Sequence, residues 1–269
     1  MRLFVIFFGL SILIFACKKE KIDSPSIMPT NNLAVTSGVG LINAFWTRNS
    51  DGTIPKLDER IKLRVNFLGP IEIQKRALVK KYVREWEHHA YVEFVFVTDE
   101  HPAEIRVSFI ENYSWSVIGQ KALNISLEKP TLNIEQALES SDTSFYEAVL
   151  HEFGHVLGLL HEHLHPLANI NWNKEAIYAD FLADGIKVIK DEIDKNYFIK
   201  CDRNTAFYNK YDVKSIMHYP IYASKIKTGN IVAQPTEISN CDKTLIGRIY
   251  PYPKAKNDKP KNEFFCLNN

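Results

Sequence analysis

The sequence predicts an α+β fold, a mixed twisted sheet with two long helices packed on it. Three observations carry that prediction. Apolar and polar residues alternate through 62–67 and 104–109, the mark of half-buried strands. Val79, Tyr82, Val83 and Trp86 recur at helical spacing within 71–88, with Lys80, Lys81, Arg84 and Glu85 on the opposite side. A second helix is bracketed between Ser144 and Gly158. The order strand, helix, short strands, helix places helices against a sheet within one domain.

Each element follows from local chemistry. Met1-Arg2 is a short basic start, residues 3–16 are almost unbroken apolar, and Lys18, Lys19 and Lys21 follow, so residues 1–16 read as a secretory signal. The run ends Ala16-Cys17, which resembles a bacterial lipobox and implies a lipid attached at Cys17. An apolar run of about 21 Å falls short of a hydrocarbon core of about 30 Å, which disfavours a permanent span. Residues 17–40 are polar and without period and read as a flexible tether. Residues 41–253 are expected to form the folded domain and 254–269 a tail. Within the domain come a strand at 62–67, a helix at 71–88, a buried strand at 91–97, a strand at 104–109, and shorter ones at 115–118 and 131–134. Ser144 with Glu147 is a capping box, so the second helix should start near Phe145. Gly158 should end it, because glycine accepts the left-handed conformation that other residues resist.

Composition excludes several classes. With 33 Lys+Arg against 32 Asp+Glu, the chain lacks the basic footprint that nucleic acid requires. A hydrophobic share of 45% is enough for a sizeable core, which excludes a disordered chain. Besides Cys17 there are Cys201, Cys241 and Cys266. An exported compartment permits one bridge among these three; Cys201–Cys241 is favoured, three reduced thiols being the alternative.

The chemistry concentrates in HEFGHVLGLLHEH, where five of the nine histidines fall between 151 and 165. Residues four apart on a helix point the same way, so His151 and His155 can offer both imidazoles to one metal. On a continuing helix His161 would lie about 9 Å further along and about 240° round, out of reach. The break at Gly158 lets the chain turn back and bring His161 to the same ion, leaving an open position of the kind that marks a catalytic zinc. Glu152, about 100° round from His151, flanks the metal and suits a general base acting on a zinc-activated water.

The string matches the extended metzincin motif. Downstream, Ser215-Ile216-Met217-His218-Tyr219-Pro220 looks like the Met-turn of that clan, in the form most similar to the astacin family and its bacterial relatives. Trp115-Ser116 with Gly119, residues 207–220 and residues 246–250 extend the resemblance over roughly 41–253. The resemblance implies a metzincin-type two-lobed zinc peptidase, with sheet and long helices in an upper lobe and an irregular lower lobe carrying the Met-turn. It assigns Met217 as hydrophobic floor and Tyr219 as a fifth zinc ligand that can move to stabilise the oxyanion. It also implies a substrate lying extended along an edge strand near 115–119. Astacins use the glutamate after the third histidine to hold a buried N-terminus. A tethered N-terminus cannot reach Glu162, which is expected to find another partner or to be solvated. His163 and His165 are expected at a solvated rim, and His218 behind the site or at the surface. No zinc-blocking prosegment is recognised.

The expected function is therefore a zinc-dependent endopeptidase (one catalytic Zn2+) that cleaves extended protein or peptide substrates. The chain is expected to be exported, anchored to a membrane through Cys17, and monomeric. The alternative from another class is a catalytically silent, zinc-containing binding lipoprotein on the same fold.

Overall fold

The computed structural model describes residues 38–47, 56, 58–98, 101–141, 143–183, 190–208 and 210–253. The expected signal peptide, Cys17, Cys266 and the tail lie outside the described residues. The chain forms an α+β fold around a five-stranded mixed sheet. β1 (Val39–Leu41) precedes the sheet strands β2 (Ile61–Phe67), β3 (Val92–Phe96), β4 (Ile105–Ser108), β5 (Trp115–Ser116) and β6 (Leu132–Asn133), ordered β3-β2-β4-β6-β5. β2 runs parallel to β3 and β4, and β6 parallel to β4; β5 closes one edge antiparallel to β6. β1 starts at Val39, ahead of the boundary expected at residue 41, because Val39–Leu41 pairs with β8 (Ala206–Tyr208).

The strand at 104–109 departs from its simple alternation. All four residues of β4 are buried, Arg106 and Ser108 included. The Arg106 guanidinium donates to the carbonyls of Ala103, Glu104, Ile125, Ser126 and Lys129. Its positive charge thus closes the segment before β6 over the sheet, which is how a buried cation escapes an uncompensated cost.

The helix expected over 71–88 is two segments, α1 (Ile73–Tyr82) and α2 (Arg84–Glu87). Val83 between them keeps right-handed helical angles, φ −63° and ψ −22°, and the Trp86 amide bonds back only three residues, to the Val83 carbonyl. The interruption is a tightened turn, not a change of direction. α3 (Thr143–Val156) starts two residues before the expected Phe145, so Ser144 lies inside its first turn rather than at its cap. Phe145 and every residue from 147 to 156 are buried, the mark of a helix packed on all sides. Trp86 Nε1–H donates to the Leu150 carbonyl at 3.0 Å, and Phe94 meets Phe153 edge to face at 5.2 Å, tying α3 to α2 and β3.

The remainder is less regular: β7 (Asn171–Trp172) pairs with β9 (Ile226–Thr228), and α4 (Lys174–Ala183), α5 (Lys190–Tyr197) and α6 (Asn240–Ile249) complete it. Cys241 is disulfide-bonded, whereas Cys201 keeps a buried thiol, so the favoured Cys201–Cys241 bridge does not form. Cys201 packs with Val39, Leu41 and Leu160, while the helix of Cys241 packs through Leu245 and Ile246 into the main core.

Candidate metal centre

The end of α3 decides where the third histidine goes. Gly158 has φ +95°, its N–H bonds to the His155 carbonyl at 2.8 Å, and the Leu159 N–H reaches the Gly154 carbonyl at 3.0 Å. This pair of bonds is the Schellman motif, and it reverses the chain. A Cβ at residue 158 would stand 2.6 Å from Phe45 Cδ1, so a side chain is excluded by space as well as by φ. β1 then grips the returning segment: the Leu41 N–H donates to the Gly158 carbonyl and the Leu160 N–H to the Val39 carbonyl, both at 3.0 Å.

His161 thereby returns to α3. One ring nitrogen from each of His151, His155 and His161 lies within 4.8 Å of the others, and the Nε2 atoms of His155 and His161 are 3.0 Å apart. The Nδ1–H of His151 donates to the Ile216 carbonyl and that of His155 to the Leu159 carbonyl, each at 2.8 Å. Both Nε2 lone pairs are thereby set for a ligand, as backbone partners do for metal-bound imidazoles. Burial, the largest cause, pushes all three imidazoles below the usual histidine range, His155 to about 4. They are neutral at pH 7, which metal ligation requires. The donor set thus fits a zinc ion.

Glu152 is buried beside these ligands, and among the described residues its Oε2 has no hydrogen-bond partner. Desolvation pushes its carboxyl well above the ordinary range. Tyr219 lies over the cluster, its ring centroid 4.2 Å from that of His161 and 6.2 Å from that of His151. Met217 is 1% exposed, and its Sδ would be 2.4 Å from a Cβ on Gly154, so the absence of a side chain at 154 lets the turn press against α3.

The Met-turn is held by residues that sequence reasoning missed. Ser239 and Asp242 form a capping box at the start of α6. Asp242 also accepts from Ser215 Oγ at 2.6 Å and from the Ile216 N–H at 2.8 Å. Ile216 is the residue whose carbonyl orients His151, so α6 holds a metal ligand at one remove. The sequence signal was present: Ser239 followed at the third residue by Asp242, ahead of Leu245 and Ile246.

Of the remaining expectations, Glu162 finds another partner and His218 lies behind the site, whereas His163 and His165 do not line a solvated rim. Glu162 is buried, its Oε1 accepting from the Asp212 N–H at 2.7 Å. His163 and His165 are buried rather than at a solvated rim. His218 is buried too, and it accepts from Tyr211 Oη at 2.6 Å and donates through Nδ1–H to the Tyr219 carbonyl at 2.6 Å.

Residues 58–250 match the family model described as Astacin, a peptidase family. Zinc metalloproteinase nas-7 of Caenorhabditis elegans is 24% identical over 197 residues, 68% of this chain and 45% of that protein. Tolloid-like protein 1 of Homo sapiens is 26% identical over 160 residues, 57% of this chain and 13% of its own length. The chain spans less than half the length of the curated relatives it matches. Among solved structures, that of myroilysin superposes with a TM-score of 0.70 at 33% identity, covering 80% of this chain and 98% of that one. A family match over more than half of the sequence, joined to three convergent imidazoles behind a glycine turn, establishes that this chain belongs to the astacin family of peptidases.

Proposed function

We propose that the chain is a zinc-dependent endopeptidase that hydrolyses peptide bonds of extended protein substrates. The observation that carries the reading is the placement of the unpartnered Glu152 Oε2 beside three neutral imidazoles with two fixed tautomers. His151, His155 and His161 hold the metal. Zinc bound there would polarise the scissile carbonyl and bring the pKa of a water toward about 7.

Glu152 takes a proton from the attacking water at Oε2 and hands it to the leaving amine. Burial raises this carboxyl well above the ordinary range, which favours its taking up the proton it must then pass on. Tyr219 donates its phenol to the developing oxyanion, and burial, which pushes that group well above 10, keeps the proton in place for donation. Met217 and Gly158 act through shape, one as floor and the other as the turn that returns His161. β5 forms the edge of the sheet and offers its free side to an extended peptide.

The test is hydrolysis of casein by the whole chain. Glu152→Gln should retain zinc and lose about 10²-fold or more of the rate. Zinc retained with no turnover by the parent on any peptide library would overturn the peptidase reading, and equal rates in the variant would remove Glu152 from its role.

The same proposal covers export and anchoring. Residues 1–16 act as a lipoprotein-type signal, Cys17 carries the lipid, the residues from there to the start of β1 are the tether, 39–253 the catalytic domain and 254–269 a tail; the chain works as a monomer. The basic start, the apolar run and Ala16-Cys17 support it. Acyl labelling that survives Cys17→Ser would refute the anchor.

A further inference from the structure

His163 follows the third metal-site histidine by two residues and sits in the 3-10 turn Glu162–Leu164, 2% exposed. It is not part of the metal cluster: the nitrogens that converge belong to His151, His155 and His161. Its ring instead stacks on Tyr219, centroids 4.5 Å apart and planes 25° apart. The phenol ring of Tyr219 therefore has His163 at 4.5 Å and His161 at 4.2 Å, with Tyr197 at 5.7 Å.

The nitrogens of His163 distinguish it from ordinary filling. Nε2–H donates to the Asn196 carbonyl at 2.9 Å, which fixes the tautomer and stops the ring from turning about its own bond. Nδ1 is buried, with no hydrogen-bond partner among the described residues. A position chosen only for packing is better filled by phenylalanine or leucine, which bury no polar atom, so an orphaned nitrogen here calls for a reason. Asn196 lies on α5, whose Tyr197 packs on both His163 and Tyr219, while Trp172 closes the edge of His163 at 6.0 Å. The flat face offered to Tyr219 is thus locked from behind by the α5 backbone and flanked by aromatic rings.

We propose that His163 is a positioning residue: its ring, locked by the Asn196 carbonyl, is the surface against which the Tyr219 phenol is held over the three-histidine centre. The proposal rests on the role assigned to Tyr219 above. A donor to a developing charge works only when fixed in advance, and the stacked face of His163 adds to the contacts with His161 and Tyr197 that fix this phenol.

The test is a double-mutant cycle on the full chain. His163→Leu fills the volume without a planar face and should lower kcat about tenfold, the scale seen when groups supporting a metal site are lost, with KM within about twofold. His163→Phe restores the face without the bond to Asn196 and should recover only part of that loss. In a Tyr219→Phe background His163→Leu should cost nothing further, because the two residues act as one unit. A second readout needs no turnover: in copper(II)-loaded protein, the phenolate-to-metal charge-transfer band of Tyr219 should weaken in His163→Leu and return in part in His163→Phe. Losses that multiply across the cycle, or a band unchanged while kcat falls, would reduce His163 to a packing residue and overturn the proposal. If Tyr219→Phe leaves kcat intact and the parent shows no band, the Tyr219 role itself fails and takes the His163 proposal with it, while the Glu152 test stands apart. Should His163→Leu not fold, His163→Gln, which keeps a donor for Asn196 but no ring, carries the same expectations.

Discussion

The sheet with α1–α3 and the segment from Gly158 to α6 meet at the metal centre, yet they are held together by different forces. Around the sheet, large apolar side chains do the holding: Trp86, Phe94, Phe145 and Phe153 are all buried in one cluster with Leu63, Ile105 and Leu132. In the later segment, polar side chains pin backbone: Asp242 on the Met-turn, Glu162 on Asp212, His218 on the Tyr219 carbonyl, His163 on Asn196. Apolar packing is non-directional and proportional to area, whereas hydrogen bonds fix particular atoms in direction and distance. The first region therefore supplies stability and two ligands, and the second supplies the position of the third ligand and of Tyr219.

The largest expected effect breaks the first region. Phe153→Ala removes a fully buried ring that meets Phe94 edge to face, and should cost about 3–5 kcal/mol of unfolding free energy in the metal-free protein. Zinc affinity of the fraction that remains folded should change little, because Phe153 touches no ligand-orienting bond. Chemical denaturation together with zinc titration separates the two quantities. A large drop in affinity at small cost in stability would show that the division of labour is drawn in the wrong place.

Asp242→Ala is the complementary break. It strips the acceptor from the Ile216 N–H and from Ser215 Oγ, leaving both buried, at about 1–3 kcal/mol. The Ile216 carbonyl that orients His151 would lose its fixed place, so zinc affinity should fall by about 10- to 100-fold, the scale for partners of ligating histidines. Stability should suffer less than in Phe153→Ala and affinity more. The reverse order would refute the idea that α6 serves the metal site.

The same contrast explains what could be read in the sequence. β2 and β3 were legible because their periods are local: Leu63, Val65 and Phe67 alternate, and Val92, Phe94 and Val95 form an apolar run. The three metal-site histidines were legible for the same reason, since the helical step and the glycine are all within eleven residues, 151–161. Polar residues buried by distant partners were misread. Arg106 falls on the polar side of the alternation in 104–109, yet the segment around Lys129 closes over it. His163 and His165 looked like rim residues, yet their surroundings are Tyr197, Tyr219, Tyr208 and Tyr211, which no period links to them. Ser144 failed as a cap because α3 begins one residue before it. The pairing of Cys241 was beyond spacing arguments, since Cys201 packs with β1 and Leu160 in the smaller cluster.

The smallest effect at neutral pH, and the one that sharpens the comparison, is a pH dependence centred on His165. This histidine is buried, its Nδ1 accepts the Leu167 N–H at 3.0 Å, and its ring meets Tyr208 edge to face at 5.4 Å. Burial, the largest cause, brings its pKa down from 6.5 to about 4. Protonation at Nδ1 would turn an acceptor into a donor facing another donor, so the folded chain keeps this site proton-free where the unfolded chain does not. The unfolded state then binds the additional proton, and stability falls as pH drops from 6.5 to about 4 and levels off below. Asp242 works in the opposite direction: burial raises its carboxyl from 3.8 to about 6, so its contribution is lost as pH rises across that interval. The raw profile mixes both signs, and the difference between parent and variant isolates one of them. His165→Asn, which keeps an acceptor for Leu167 but does not titrate, should flatten the profile between pH 6.5 and 4 by up to about one proton. Parallel profiles for parent and variant would mean that His165 is protonated alike in both states, and that polar pinning in this region does not depend on a neutral imidazole.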